Sequence, residues 1–180
     1  SQCCLILTEG DSAKTMAMTG LGIIGRDKYG IFPLKGKLMN VRDLKNIKKL
    51  LENEEINNIK KIIGLQANKE YTSIDELRYG QIMVLTDQDE DGSHIKGLLF
   101  NLFQTLWHSL FSRPGFLLGM LTPIVKAKKG KSSLDFYSLK DFNTWNETSG
   151  SGYTCKYYKG LGTSTPAEAK EYFKNLKTVV

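Results

Sequence analysis

Short apolar runs alternate with amphipathic segments along this chain of 180 residues. The run Cys4–Thr8 ends at a Glu-Gly-Asp turn, and a helical pattern begins at Ala13. The run Ile82–Leu85 ends at an acidic segment, and apolar residues at helical spacing follow from Ile95 to Phe111. The order strand, turn, helix is typical of α/β units, whose parallel strands place their carboxyl ends at one edge of a sheet. We therefore predict an α/β fold with a central, mainly parallel sheet flanked by helices.

Further helices that pack on this sheet are predicted between Val41 and Ile63, where a polar interruption at Glu52–Glu55 separates two amphipathic patterns. The last third of the chain predicts a β-hairpin, a short helix, another strand and a final helix. The predicted bounds of these five elements are Leu121–Lys128, Leu134–Ser138, Leu139–Trp145, Thr154–Tyr158 and Pro166–Leu176. We expect a core domain over residues 1–125 and an extension over residues 126–180.

Two helix starts are indicated by local sequence alone. Asp11 or Ser12 is the predicted N-cap of the first helix, because both side chains accept hydrogen bonds from backbone N–H groups. Thr165 and Glu168 have the spacing of a capping box, and Pro166 suits the first helical position.

Composition limits the class of protein. Hydrophobic residues make up 41% and charged residues 24%, and no run approaches the roughly 18 apolar residues of a membrane span, so we expect a soluble protein without membrane contact. No leader pattern precedes the first strand, and the chain does not begin with Met, so we expect a fragment of a non-secreted protein. The three cysteines lack C-x-x-C spacing, which argues against a disulfide framework or a zinc site. The net charge of +6 permits a polyanionic partner without requiring one.

The densest chemistry lies in the acidic segment Asp87–Gly92. Carboxylates about 4 Å apart repel by roughly 4 kcal/mol at an effective dielectric constant near 20, so such a cluster either holds protons or holds a cation. We favour a cation. If Asp87 and Asp89 continue the strand, their side chains lie on one face. Glu9 also ends a strand, and parallel pairing would bring it to the same edge, although the alternative for Glu9–Ser12 is a simple helix cap.

Other metal and nucleotide sites are excluded. Four residues match positions one, three, five and six of an EF-hand loop, but position twelve is Leu98 where the motif needs Glu. No phosphate-binding P-loop occurs, and Gly20–Gly25 matches G-x-G-x-x-G without the strand that a dinucleotide site requires before it. Mg²⁺, which combines one or two carboxylates with water and phosphate oxygens, fits best, and a phosphodiester is the implied substrate.

Several cations and one histidine complete the candidate site. Lys35 and Lys37 flank a glycine, and Lys159 precedes a glycine-punctuated turn, so all three could approach phosphates closely. For each lysine, ordinary surface charge is the alternative. His94, in the first turn of the helix after the acidic segment, could be a ligand, but we expect it to support the carboxylates instead.

Four motifs in this order resemble the TOPRIM region of type IIA DNA topoisomerases, and they cover nearly the whole chain. They are Glu9–Ala13, Pro33–Lys37, Asp87–Ile95 and Tyr158–Thr163. The details Ser12–Lys14, Gly25–Gly30 and Ile56–Ile59 look most like the eukaryotic topoisomerase II branch. The resemblance implies a TOPRIM fold, which is Rossmann-like, with a C-terminal extension containing a β-hairpin, a helix, a strand and a final helix.

The resemblance also implies roles for individual residues. Glu9, Asp87, Asp89 and Asp91 match the Mg²⁺-binding acids of the family, with Mn²⁺ or Ca²⁺ as possible substitutes. The matching catalytic set is Glu9, Asp87, Asp89 and Lys159, and the basic positions near the DNA backbone are Lys35, Lys37 and Lys159. Gly10 and Asp11 match positions that line the pocket of topoisomerase poisons.

For the whole protein, the resemblance implies double-strand DNA passage by a nuclear homodimer that uses ATP in a separate domain. The nucleophilic tyrosine belongs to a winged-helix domain outside this sequence, so we expect the eight tyrosines here to be packing or surface residues and the fragment alone to be inactive. Two alternatives stay open: a self-contained TOPRIM nuclease or primase, and a non-catalytic basic DNA-binding module whose acidic segment only caps a helix.

Overall fold

The computed structural model describes residues 2–35, 38, 47–67 and 69–179. The strands and helices are, in chain order, β1 (Cys4–Glu9), α1 (Asp11–Ile24), β2 (Tyr29–Leu34), α2 (Ile47–Glu52), α3 (Glu54–Ile63), β3 (Gln81–Leu85), α4 (Glu90–Leu106), α5 (His108–Phe111), β4 (Leu117–Leu121), β5 (Val125–Lys129), β6 (Ser132–Phe136), α6 (Leu139–Ser149), β7 (Thr154–Tyr157), α7 (Pro166–Lys174) and β8 (Lys177–Val179). A 3₁₀ turn, Leu161–Thr163, connects β7 to α7.

The main sheet has the strand order β2-β1-β3-β4-β8. The first four strands are parallel to one another, and β8 pairs antiparallel with β4 at the edge. A smaller antiparallel sheet has the order β6-β5-β7. The predicted α/β fold with a mainly parallel central sheet flanked by helices is therefore confirmed. The predicted hairpin, helix, strand and final helix follow in that order as β5, β6, α6, β7 and α7.

Both faces of the main sheet are covered, which is why its strands are apolar at consecutive positions. Leu5 and Leu7 belong to the hydrophobic core that includes residues of α3, α4 and α5. Cys4 and Ile6 point to the opposite core, which contains residues of α1 and α7. Successive side chains of a strand alternate between faces, so β1 and β3 supply both cores at once. Within the described residues, no helix is both long and apolar enough to cross a lipid bilayer.

Several predicted bounds were wrong for identifiable reasons. The helix predicted to Phe111 is interrupted at Trp107, whose φ of −140° and ψ of 60° are not helical. Two strands, β4 and β5, replace the single strand predicted over Leu121–Lys128, because Pro123 lies between them and cannot donate a ladder hydrogen bond. The last helix ends at Lys174, and Lys177–Val179 form β8. Of the helical pattern predicted from Val41, residues 41–46 lie outside the described residues.

The two predicted helix starts had different outcomes. The capping box of α7 is confirmed, with Thr165 Oγ1 accepting from the Glu168 N–H at 3.2 Å and Pro166 at the start of the helix. At α1, neither Asp11 nor Ser12 is the N-cap. Gly10 holds that position with a φ of 87° and no side-chain cap, and the helix already begins at Asp11. A left-handed φ favours glycine, so the chain turns from β1 directly into the helix.

The glycine pattern Gly20–Gly25 is structural, in agreement with the exclusion of a nucleotide site. Gly20 and Gly22 lie within α1, and Gly25 ends it. Gly20 faces the buried ring of Phe173 on α7, so close that an added Cβ would lie 2.4 Å from ring carbons. Gly22 is exposed and has no atom within 4 Å of an added Cβ. The contact between α1 and α7 therefore depends on glycine at one position only.

These two glycines form a matched test. We expect Gly20→Ala to lower the free energy of unfolding by about 1–3 kcal/mol, because the Phe173 ring must move within a packed core. Gly22→Ala is expected to raise it by about 0.5–1 kcal/mol, since alanine favours an exposed helix. Urea unfolding of both variants checks this, and shifts of the same sign would contradict the proposed packing.

Candidate functional site

Carboxylates from two distant segments meet where β1 and β3 end. Glu9 is the last residue of β1, Asp87 lies just beyond Leu85 at the end of β3, and these two strands are adjacent and parallel. Burial raises the pKa of Glu9, and the negative charges of Asp87, Asp89 and Asp91 raise it further. The four predicted acids therefore share one electrostatic environment, in which each carboxylate disfavours the ionisation of Glu9.

The segment after β3 is fastened to neighbouring elements by its own side chains. Asp87 Oδ1 accepts a hydrogen bond from the backbone N–H of Leu161 at 2.7 Å. The next side chain, Gln88, donates from Nε2 to the Met120 carbonyl oxygen at 3.4 Å, at the end of β4. Asp87 thus binds the 3₁₀ turn, and Gln88 binds the main sheet. This arrangement fixes the direction of the Asp87 carboxylate.

Asp89 does not continue the strand, contrary to the strand geometry considered from its spacing. It is the N-cap of α4, and its Oδ1 accepts from the Gly92 N–H at 2.8 Å. Asp91 lies in the first turn of the same helix, where the positive end of the helix dipole favours an acid. Capping therefore accounts for one oxygen of Asp89, as the non-catalytic alternative supposed. It does not account for Glu9, which comes from a different part of the chain.

Gly92 allows α4 to start directly on the acidic segment. An added Cβ there would lie 1.9 Å from the Asp87 carbonyl oxygen and 2.7 Å from Thr86 Oγ1. Gly92 itself is buried, and the first of these neighbours is backbone, which cannot yield as a side chain can. Only a hydrogen atom fits between the helix and the segment that carries Asp87.

The glycine-rich turn after β7 packs against the acids. An added Cβ on Gly160 would lie 3.1 Å from Asp87 Oδ1, and one on Gly162 would lie 3.0 Å from Ser12 Oγ. The turn therefore lies between the acidic segment and the start of α1. Lys159, at the entrance to the turn, is exposed.

The remaining predicted residues, apart from Lys37, lie at the start of α1, just after β2 and in the first part of α4. Gly10 and Asp11 are exposed at the start of α1, and Asp11 borders a groove of ≈ 250 Å³ between α1 and α7. Lys35 is exposed, and its backbone N–H donates to Glu55 Oε1 at 3.2 Å. His94 is exposed on α4. Lys37 lies outside the described residues.

The donor set suits a hard cation only with help from other ligands. Among the described residues, no group of three His, Cys, Asp or Glu side chains is arranged to hold a metal ion by itself. Carboxylate oxygens are nevertheless the ligands that Mg²⁺ prefers, and it commonly binds one or two of them together with water and substrate phosphates. The acids at this edge fit such an open site in type and charge.

Sequence reasoning missed the backbone contribution to this site. The Leu161 amide reaches Asp87 across 74 residues of sequence, so no local pattern announces it. The glycines around Leu161 were a partial signal, because they indicated close approach at that turn. The anchoring of Gln88 on β4 had no signal at all.

Two protein-family models match the chain in succession. The Toprim domain model matches residues 4–115, and a model described as the C-terminal associated domain of TOPRIM matches residues 120–180. The chain belongs to the Toprim domain family. This Toprim chain is 59% identical over 180 residues to DNA topoisomerase 2 of Drosophila melanogaster, and 57% identical over 182 residues to DNA topoisomerase 2-alpha of Rattus norvegicus. The matches cover 97% and 98% of the chain but only 12% of each relative.

A solved structure is also similar over almost the whole Toprim chain. It is the crystal structure of the Plasmodium falciparum topoisomerase II DNA-binding, cleavage and re-ligation domain, with a TM-score of 0.89 and 53% sequence identity. The match covers 97% of this chain and 24% of the other. The chain is thus similar to one part of a much longer enzyme.

Two glycines of α4 test the close contact at the acidic segment. We expect Gly92→Ala to lower the free energy of unfolding by about 1–3 kcal/mol or more, because the Asp87 backbone must shift. Gly97→Ala is the matched control, since this glycine is exposed in the same helix with nothing within 4 Å of an added Cβ. It is expected to be stabilising by about 0.5–1 kcal/mol. Equal effects in urea unfolding would contradict the contact.

Proposed function

We propose that this Toprim domain is the Mg²⁺-binding part of the DNA cleavage and religation core of an ATP-dependent type II DNA topoisomerase. One observation supports the proposal: Glu9 and the aspartates after β3 follow adjacent parallel strands, and burial and the charges of Asp87, Asp89 and Asp91 raise the pKa of Glu9. The identity of 53–59% to type II topoisomerases along nearly the whole chain supports the same function. The corresponding activity is double-strand passage, with relaxation and decatenation of DNA.

Within this function, Glu9, Asp87, Asp89 and Asp91 hold the Mg²⁺. The ion, when bound, stabilises negative charge on phosphate oxygens and on the leaving oxygen of the cleaved strand. The chain itself orients these ligands. The Leu161 amide fixes Asp87, and the start of α4 fixes Asp89. Because the acids repel one another without a cation, the site is prepared to accept one together with the anionic DNA backbone.

The lysines complete the proposed DNA contact. Lys159 enters the turn that packs on Asp87, so its ammonium group can neutralise a phosphate next to the metal. Lys35, exposed after β2, contributes more peripheral charge, and Lys37 is proposed for the same role from sequence alone.

Strand cleavage also needs a nucleophile, which we assign to a winged-helix domain of the same polypeptide. Tyr158 directly precedes Lys159, but burial and a hydrogen bond to Glu168 raise its pKa, so its hydroxyl stays protonated as a donor. The ATPase lies in another domain, and the full-length protein acts as a homodimer. The 180-residue chain alone is therefore expected to be inactive.

The metal proposal predicts that Glu9→Gln stabilises the chain without Mg²⁺ but weakens its binding of Mg²⁺. The pKa of Glu9 is raised on folding, so its ionisation opposes folding and stability is lost as the pH rises through that pKa. Without metal at neutral pH, Glu9→Gln should therefore raise the melting temperature. With Mg²⁺, the variant should show an apparent affinity lower by about tenfold or more, because a ligand is lost.

Thermal melts in a Mg²⁺ titration measure both effects. Glu147→Gln, on the exposed surface of α6, is the control and should respond to Mg²⁺ as the wild-type chain does. Equal Mg²⁺ shifts in the wild-type chain and Glu9→Gln would exclude Glu9 as a ligand.

The DNA contact predicts a change in salt dependence. Lys159→Ala should weaken duplex binding and reduce the slope of log K against log salt by about one unit, as expected for the loss of one phosphate contact. Fluorescence anisotropy at several salt concentrations measures this slope. Lys140→Ala, which removes an exposed lysine of α6, should leave the slope unchanged.

Mg²⁺-dependent cleavage of supercoiled plasmid, or primer synthesis, by the chain alone would contradict the assignment of the nucleophile to another domain.

A further inference from the structure

The carboxylate of Glu168 binds both ends of the segment that carries the glycine-rich turn. Glu168 lies in the first turn of α7, and its side chain is only 15% exposed. The segment of interest, residues 159–164, leaves the small sheet at β7 and enters α7 at Thr165. The Glu168 carboxylate accepts hydrogen bonds from residues on both sides of this segment.

At the end of β7, two side chains donate to this carboxylate. The Tyr158 hydroxyl donates to Glu168 Oε2, and Lys156 Nζ donates to Oε1 at 2.7 Å. Tyr158 is in turn held by its backbone, whose N–H donates to the Ile124 carbonyl oxygen at 2.9 Å. The first end of the segment is thereby fixed to both α7 and the small sheet.

At the start of α7, the same carboxylate closes the capping box. The Thr165 N–H donates to Glu168 Oε1 at 3.1 Å, while Thr165 Oγ1 accepts from the Glu168 N–H at 3.2 Å. Burial alone would raise the pKa of Glu168, but the hydrogen bonds from Lys156, Tyr158 and Thr165 outweigh it and hold the pKa at about 2. The side chain is therefore ionised near neutral pH and accepts from three donors at once, which the single acceptor oxygen of glutamine cannot match.

Between these two ends, the segment contacts the acids. The Leu161 N–H donates to Asp87 Oδ1 at 2.7 Å, and Gly160 lies against the same carboxylate. Leu161 is buried, so the turn has little freedom once its ends are fixed. A segment held at both ends and in the middle presents its amide in one position.

We propose that Glu168 is a positioning residue: by fixing both ends of residues 159–164, it keeps the Leu161 amide on Asp87. This inference rests on the proposed function, in which metal and DNA binding depend on the position of Asp87. Glu168 acts through the turn and does not itself touch the metal or DNA.

The test compares Glu168→Gln and Tyr158→Phe with the wild-type chain. Tyr158→Phe removes one donor at the β7 end and leaves the capping box of α7 intact, so it remains informative if Glu168→Gln unfolds the helix start. We expect the Leu161 amide to exchange its hydrogen about tenfold faster in both variants, and the apparent Mg²⁺ affinity to fall with it. Amide exchange followed by NMR and the Mg²⁺ melting titration provide the two readouts.

Glu171→Gln is the matched control. Glu171 lies on the same helix, but its carboxylate pairs with Lys126 at 3.6 Å and not with the turn. This variant should leave Leu161 exchange and Mg²⁺ affinity at the wild-type values.

The outcomes separate the two proposals. Unchanged Leu161 exchange in Tyr158→Phe and Glu168→Gln, or faster exchange with wild-type Mg²⁺ affinity, would overturn the positioning role and leave the metal site standing. A wild-type chain without any Mg²⁺ response would overturn the proposed function itself, whatever the exchange rate of Leu161.

Discussion

Mutual repulsion between carboxylates is the constraint around which this Toprim chain is built. Parallel pairing of β1 with β3 brings Glu9 to the aspartates that follow β3, and burial together with these negative charges raises the pKa of Glu9. The fold compensates with oriented dipoles: a backbone N–H binds Asp87, and the amino end of α4 receives Asp89. Such neutral donors steady each acid without cancelling its charge. The remaining negative potential is the reason why we propose a cation at this edge.

Much of the fold followed from periodicity and from simple rules of connection. Buried parallel strands must be apolar on both faces, and Cys4–Thr8 and Ile82–Leu85 satisfy this. Once two such parallel strands are adjacent, their carboxyl ends lie side by side, so the proximity of Glu9 and Asp87 follows from the strand pairing. The capping box of α7 could equally be predicted from the sequence, because Thr165 and Glu168 are only one turn apart and the motif is local.

What could not be predicted depends on contacts between distant residues. Alternating acids are compatible with either a strand or a capped helix start, and the approach of α4 to the backbone at Gly92 decides between them. The Leu161 amide is chemically identical to any other, so its choice of Asp87 depends on how the turn is packed. Likewise, the three residues of β8 have no strand pattern of their own and become a strand by pairing with the edge of β4.

The antiparallel edge strand has a consequence for how this domain can be divided or recombined. The short strand β8 completes the sheet that contains β1. In addition, α7 covers the face of α1 where Gly20 makes room for Phe173. A polypeptide cut after α5 would lack β4, β8 and α7, and β3 would become an unprotected border with free amides and carbonyls. Such a border is a template for self-association. Recombination between related enzymes would therefore have to exchange the segment up to α5 and the segment from β4 to β8 together.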